Sequence, residues 1–263
     1  MKKKIVLGLA AAGTALAMLP LFAAFEAHVI NVTATIENAL NVDVTPISFG
    51  TVFPQEQLDK PVHILLSDSL QKENRVDDVS YIIRQKPKCA VTTNEGKTLV
   101  GPTATGEVVP DTSEQGYHID CGPDPRQLDP TTGQPLPPGS TWGVLPSLCP
   151  YLSKHKSDGD KQIQESEINA FHQPFTIVNG VVQWLDAHGY LTKVDNDIED
   201  DWNIDLKVPC FGGYCAQDWA DYVHHWNATT DPSQYTQPIG NEHKVFGCDL
   251  WVETTGISPA TPE

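Results

Sequence analysis

Residues 27–44, AHVINVTATIENALNVDV, carry the pattern that decides the fold. Polar and apolar side chains alternate along this stretch, and many of the apolar ones are β-branched. A period of two predicts a β-strand with one face in a core. Asn38 interrupts the apolar face, which divides the run into residues 29–37 and 40–44. The apolar positions are Ile30, Val32, Ala34, Ile36, Leu40, Val42 and Val44.

Residues 1–23 have the features of a secretory signal peptide. Three lysines at positions 2–4 precede an uncharged run of 21 residues from Ile5 to Phe25. We expect cleavage, so that the mature chain is secreted and meets a membrane only through this segment. Because 21 apolar residues can also span a bilayer, retention as an anchor is the alternative.

The charge balance excludes one class of partner. The formal charge is −17, and loss of the first 23 residues removes three lysines and no acidic residue, which leaves −20. We therefore expect no binding to nucleic acid or anionic lipid, because like charges repel.

All six cysteines lie in the part of the chain that would be exported. In an oxidising compartment they predict up to three disulfides, with 15 possible connectivities. Only Cys210 and Cys215 form an evident close pair. A zinc site is the weaker interpretation, since no Cys-x-x-Cys knuckle is present. The six are Cys89, Cys121, Cys149, Cys210, Cys215 and Cys248.

Short alternating runs at both ends of the chain predict an all-β, jelly-roll-like β-sandwich with one or two short helices. The expected organisation is a signal peptide (1–23), an N-terminal strand (24–38), one sandwich domain (39–255) and a C-terminal tail (256–263). A Pro- and Gly-rich, disulfide-bearing insert of irregular structure is expected over about 90–200. The runs are 47–53, 62–66, 79–83, 202–208 and 246–252.

Two helices and one hairpin are predicted locally. Trp219, Tyr222, Val223 and Trp226 follow helical spacing, so 219–226 should lay an aromatic face on a sheet. Residues 157–171 carry a weaker helical stripe behind a Ser or Asp cap. Asn179-Gly180 between apolar runs is typical of a type I′ hairpin turn.

The search for catalytic or metal-binding patterns finds none that is complete. Asp195, Asp197 and Glu199 resemble the start of a calcium loop, but Leu206 stands where the bidentate Glu is needed. A looser calcium site remains an alternative to a charged surface turn. The chain lacks His-Glu-x-x-His and Gly-x-Ser-x-Gly. The sequence therefore predicts a protein that is not an enzyme and needs no cofactor.

A second candidate metal constellation lies on the 219–226 helix. His224 and His225 share this predicted helix with Asp218 and Asp221. Of these, Asp221 and His225 are neighbours on the helix surface, but no third ligand is identifiable beside them, so a solvated polar face is the favoured interpretation.

Several segments resemble the TasA/camelysin family of secreted fibre subunits. They are the leader running into Phe22-Ala-Ala-Phe25, the stretch Ala39–Val42, residues 47–56, residues 67–84 and the closing VFGCDLWVE at 245–253. The resemblance covers about residues 1–88 and 202–255. It implies a jelly-roll β-sandwich behind a SipW-type signal, whose copies build extracellular fibres of a biofilm matrix or cell-surface coat. Camelysin relatives are classed as metallopeptidases, but no zinc motif here can receive that activity.

The leading hypothesis is a non-enzymatic structural protein that polymerises head to tail with copies of itself. Residues 29–37 would act as a donor strand through Ile30, Val32, Ala34 and Ile36, whereas 40–44 would belong to the chain's own sandwich. Pairing of 29–37 within the same chain is the alternative. A carbohydrate- or surface-binding module using Trp142 or Trp184 is the second hypothesis, and a secreted metal-dependent hydrolase is the third.

Overall fold

A computed structural model of the protein describes residues 38–43, 45–93, 98–99, 105–112, 116–123, 132–134, 136 and 138–259. The signal peptide, the donor strand 29–37 and the end of the tail lie outside these residues. The described chain is mostly β-structure, which confirms the predicted class. Its fourteen described strands are β1 (Leu40–Val42), β2 (Gln57–Leu66), β3 (Val76–Pro87), β4 (Cys89–Thr92), β5 (Thr98–Leu99), β6 (Glu107–Pro110), β7 (Tyr117–Asp120), β8 (Thr141–Val144), β9 (Leu152–Lys156), β10 (Phe175–Val178), β11 (Val181–Trp184), β12 (Ala187–Thr192), β13 (Glu199–Lys207) and β14 (Cys248–Pro259).

In the part of the chain that the structure describes, helices are few and short. The α-helices there are α1 (Asp68–Lys72) and α2 (Trp219–Trp226), and single 3-10 turns cover Cys149–Tyr151, Pro232–Tyr235 and Ile239–Asn241. Ser67 caps α1 by accepting from the backbone N–H of Leu70.

Two antiparallel sheets form the sandwich. The first has the order β1-β2-β13-β9 and the second the order β12-β3-β14. Alternate residues of each sheet enter one shared hydrophobic cluster, as the period of two requires. Fully buried members from both sheets include Ile64, Val79, Tyr81, Leu191 and Trp202.

One margin of the sandwich is bridged by a short segment between the sheets. Ile168 exchanges backbone hydrogen bonds with Lys154 of β9, at 2.7 and 2.9 Å. Ser166 does the same with His188 of β12, at 3.0 and 3.2 Å. The segment 166–168 therefore bridges the two sheets at this margin by pairing with one residue of each edge strand.

The region expected to be an irregular insert is partly integrated into the sandwich. Strands β9 and β12 lie inside 90–200, yet they are edge strands of the two main sheets. The rest of the region forms small sheets, β5-β4-β8, β6-β7 and the hairpin β10-β11. The expectation was too broad because Pro- and Gly-rich composition does not exclude short strands that pair with distant partners.

Helix α2 and the hairpin lie where the sequence predicts them. Trp219 and Val223 are buried, and Phe171 packs edge-on against Trp219 at 5.7 Å between ring centroids. At the hairpin turn Asn179 and Gly180 have φ of 53° and 73°, the left-handed pair that a type I′ turn needs.

Three local expectations are wrong. Residues 157–171 are not helical, because the backbone of the bridging segment bonds to the sheets instead, and Ile163 is fully exposed. Residues 47–53 form no strand; they pass through Gly50 at φ 74°. The tail begins later than expected, since β14 continues to Pro259.

All six cysteines form disulfides. Cys210–Cys215 is the pair that the sequence indicated. The others are Cys89–Cys121, which links the start of β4 to the residue after β7 and so joins two of the small sheets, and Cys149–Cys248, which links the 3-10 turn before β9 to the start of β14.

Candidate functional site: the open margin of the sandwich

The margin opposite the bridging segment is formed by β1 in one sheet and β14 in the other. Each is the last strand of its sheet. Among the residues that the structure describes, neither has a strand on its outer side. We call this pair of edges the open margin. Unpaired edges present rows of N–H and C=O groups that can accept a further strand.

Apolar side chains at the open margin are incompletely covered. Leu40 and Val42 of β1, and Leu250 and Val252 of β14, pack against the core cluster but are only half-buried. At the bridged margin, Leu152 and Ala187 are 3% and 0% exposed. One added strand with apolar side chains on alternate positions would give the open margin the same coverage.

The strand β14 offers a long regular edge. Residues 248–254 pair with β3 without interruption, and the register shifts only after Thr254. On the outer face of this sheet, Nζ of Lys86 lies 3.8 Å from the ring centroid of Trp251. This regular run of seven residues is comparable in length to the nine-residue segment 29–37.

A groove of about 310 Å³ continues the open margin where β1 ends. The groove runs beside β2, which contains Pro61. Proline lacks a backbone N–H and is typical of strand edges, where no further ladder hydrogen bond has to be donated. Thr45 donates from its hydroxyl and its backbone N–H to Asp43, at 2.5 and 2.9 Å, which lowers the pKa of that carboxyl. The groove is lined by Asp43, Thr45, Pro46, Ile47, Ser48, Lys60, Pro61 and Val62.

The residues considered for calcium are not brought together. Asp195 is exposed in a turn, and Asp197 is buried and accepts a hydrogen bond from Gln162 at 3.2 Å. Glu199 lies instead beside His63, at 3.6 Å.

The histidines of α2 have other neighbours. His224 hydrogen-bonds through Nε2 to the carbonyl of Thr230, and the ring of His225 packs on Trp226.

Within the described residues, the structure assembles a potential cation site that the sequence did not indicate. His63, Glu199 and Asp201 converge on the outer face of the first sheet, with possible ligand atoms within 4.8 Å of one another. The register of β2 against β13 pairs His63 with Asp201, and their side chains are 2.5 Å apart. No local signal could reveal this, because the two residues are 138 positions apart.

The tryptophans named for carbohydrate binding are partly used in packing. Trp142 donates its indole N–H to the carbonyl of Cys121 at 3.2 Å. Trp184 contacts Phe175 edge-on, and Cζ of the Arg84 guanidinium lies over its indole, 5.4 Å from the ring centroid of Trp184. Both are half-buried rather than presented as free stacking faces.

Comparison with known proteins gives no match: neither a family model, a curated protein nor a solved structure resembles the chain significantly. The resemblance to the TasA/camelysin family therefore stays a prediction. Within the described residues, helices are too short or too polar to cross a membrane.

Proposed function

We propose that this protein is a secreted structural subunit that polymerises by donor-strand addition. Residues 29–37 of one copy would pair with the open margin of the next. Such a joint is head to tail and does not close, so it propagates into a fibre. A fibre subunit of the TasA type is the class that this proposal favours.

The single observation that carries the proposal is the asymmetry between the two margins. One is bridged by residues 166–168, whereas at the other β1 and β14 lack an outer partner among the described residues and have half-buried apolar side chains. A donor with alternate apolar residues suits that margin, and 29–37 has this pattern. Burial of Ile30, Val32 and Ile36 would contribute about 5 to 9 kcal/mol before association costs.

Three disulfides support the location. They are consistent with an oxidising, extracellular environment. Disulfides also suit a subunit that must stay folded outside the cell, where no chaperone refolds it.

Deletion of residues 24–37 behind an intact leader tests the function. We expect a folded monomer that forms no filaments in electron micrographs. Because this variant keeps the open margin, it should still accept one donor strand and shorten wild-type filaments when mixed with them.

A matched pair of triple substitutions isolates the apolar face of the donor. Replacement of Ile30, Val32 and Ile36 by Asn should abolish polymerisation. Replacement of Asn31, Thr33 and Thr35 by Ser changes the opposite face and should leave it intact. Filaments that persist after deletion of 24–37 would refute the proposal.

A further inference from the structure

A buried cluster of charged side chains lies between the two sheets. Lys156 of β9 and Asp200 of β13 both have completely buried side chains, and Lys156 Nζ contacts Asp200 Oδ1. The register pairs Lys156 with Trp202, so Asp200 is the diagonal neighbour on the same inward face. A primary amine and a carboxyl group are thus held together away from water.

Two more side chains complete the cluster. Glu165, 3% exposed, places Oε1 3.0 Å from Lys156 Nζ. Its second oxygen accepts the backbone N–H of Gln162 at 2.8 Å, which fixes the carboxyl group. Tyr81 donates its hydroxyl to Asp200 Oδ2 and accepts the indole N–H of Trp202 at 2.6 Å.

We propose that Lys156 and Asp200 become joined by an intramolecular isopeptide bond that the protein forms by itself, with Glu165 as the proton carrier. The four groups supply what such a condensation needs: a nucleophile, an electrophile, an acid-base and a donor to the carbonyl oxygen. The bond does not depend on polymerisation.

The reacting protonation state is reached by moving one proton within the cluster. An ammonium beside a carboxylate and an amine beside a carboxylic acid contain the same number of protons. Burial raises the pKa of Asp200 to about 7, against the opposing hydrogen bonds from Lys156 and Tyr81. Burial also disfavours the ammonium of Lys156, but the hydrogen bonds and charges of Asp200 and Glu165 outweigh it and raise the pKa of this group. The ion pair is therefore the resting form, and the neutral pair reached by proton transfer is the form that reacts.

The step balances as amine plus acid giving amide plus water. The Nζ lone pair attacks Cγ of Asp200, and the new C–N bond forms while Tyr81 hydrogen-bonds to the oxygen that gains charge, Oδ2. Glu165 takes a proton from Nζ and returns it to Oδ1, which leaves as water when the C–O bond breaks. Fixed proximity replaces the entropy loss of a bimolecular reaction, and exclusion of water opposes hydrolysis of the product.

A plain buried ion pair is the competing explanation. One ammonium would need one carboxylate, but Lys156 has Glu165 as a second buried carboxyl partner, and Asp158 lies 3.7 Å away on the solvent side. A surplus of buried negative charge is costly for an ion pair. The same carboxyl group is required by the condensation.

Mass spectrometry of the full chain tests the bond. After unfolding, reduction and alkylation of the disulfides, the measured mass of the wild-type protein should be lower by one water than the mass calculated for its alkylated sequence. Proteolysis with trypsin should yield one branched peptide containing both Lys156 and Asp200, with no cleavage after Lys156. The missing water should be absent from three variants, each of which should have the mass calculated for its own sequence: Lys156→Met, Asp200→Ala and Glu165→Gln. Circular dichroism should show that Glu165→Gln keeps the fold.

Exposed neighbours provide matched controls. Lys161→Met and Asp201→Asn change the same residue types nearby and should retain the loss of water and the branched peptide. The proposal is overturned if denatured wild-type protein has its full sequence mass and trypsin cleaves after Lys156. It is equally overturned if the missing water maps to a succinimide at Asp158-Gly159. Undiminished cross-linking in Glu165→Gln would remove Glu165 from the mechanism.

Discussion

Lys154→Met should stabilise the protein at neutral pH. Lys154 points into the core from β9, is 0% exposed and lies opposite Ile204 and Ile168. Its Nζ has no hydrogen-bond partner among the described residues. Burial lowers its pKa from 10.5 to about 7, with a smaller opposing effect from Asp186.

The magnitude follows from linkage between proton binding and folding. The unfolded chain binds a proton at Lys154 below pH 10.5, whereas the folded chain does so only below about pH 7. Stability is therefore fully present above the unfolded pKa and is lost as the pH falls from 10.5 to 7, by at most about 5 kcal/mol. Methionine has a similar volume and no charge, so we expect a gain of about 2 to 4 kcal/mol at pH 7.

Urea unfolding at pH 7 and pH 10, with disulfides intact, measures the effect. The difference between wild type and Lys154→Met should shrink as the pH rises, because the unfolded wild type then also loses its proton at Lys154 and folding no longer has to remove it. Lys60→Met, at an exposed lysine, is the control and should show no such change. A variant that is less stable than wild type at pH 7, with the same pH dependence, would refute the reasoning.

Two further predictions concern close packing and cross-links. Gly189→Ala would place a methyl group 2.0 to 2.5 Å from ring atoms of the buried Tyr81 and should cost about 3 kcal/mol or more in the free energy of unfolding, whereas Gly143→Ala meets no atom within 4 Å. Equal effects in urea titrations would contradict this close approach. Replacing both cysteines of Cys149–Cys248, 99 residues apart, by Ala should cost about 4 to 5 kcal/mol, against about 2 for Cys210–Cys215, 5 residues apart. If calorimetry shows a larger loss of stability for removal of Cys210–Cys215 than for removal of Cys149–Cys248, loop entropy is excluded as the main cause of disulfide stabilisation here.

Local signals predicted much of the secondary structure. Alternation marked the inward residues of β2, β3 and β13, and helical spacing marked α2. The hairpin followed from Asn179-Gly180 alone, since both turn residues need positive φ. These signals succeed because the interactions behind them involve residues only a few positions apart.

The alternation of polar and apolar residues does not identify the inward positions of β9. The candidate sites are not visible in the sequence either, because they too depend on contacts between residues that are distant along the chain. In LSKHK the inward positions after Leu152 are Lys154 and Lys156, which a hydrophobic pattern assigns to the surface. Lys156 is explained only by its tertiary partners, above all Asp200 on the neighbouring strand β13, 44 positions further along the chain. The open margin is likewise a property of strand order, which no local run of residues encodes.

The amino-acid sequence by itself determined the β class, the two local elements and the close Cys210–Cys215 pair, because short-range sterics and side-chain polarity set these. The tertiary structure decided which strands lie at each margin, how the other four cysteines pair and that an amine meets a carboxyl group in the core. Those outcomes depend on the closure of long chain segments around a shared core, where contact energies between distant residues outweigh local preference.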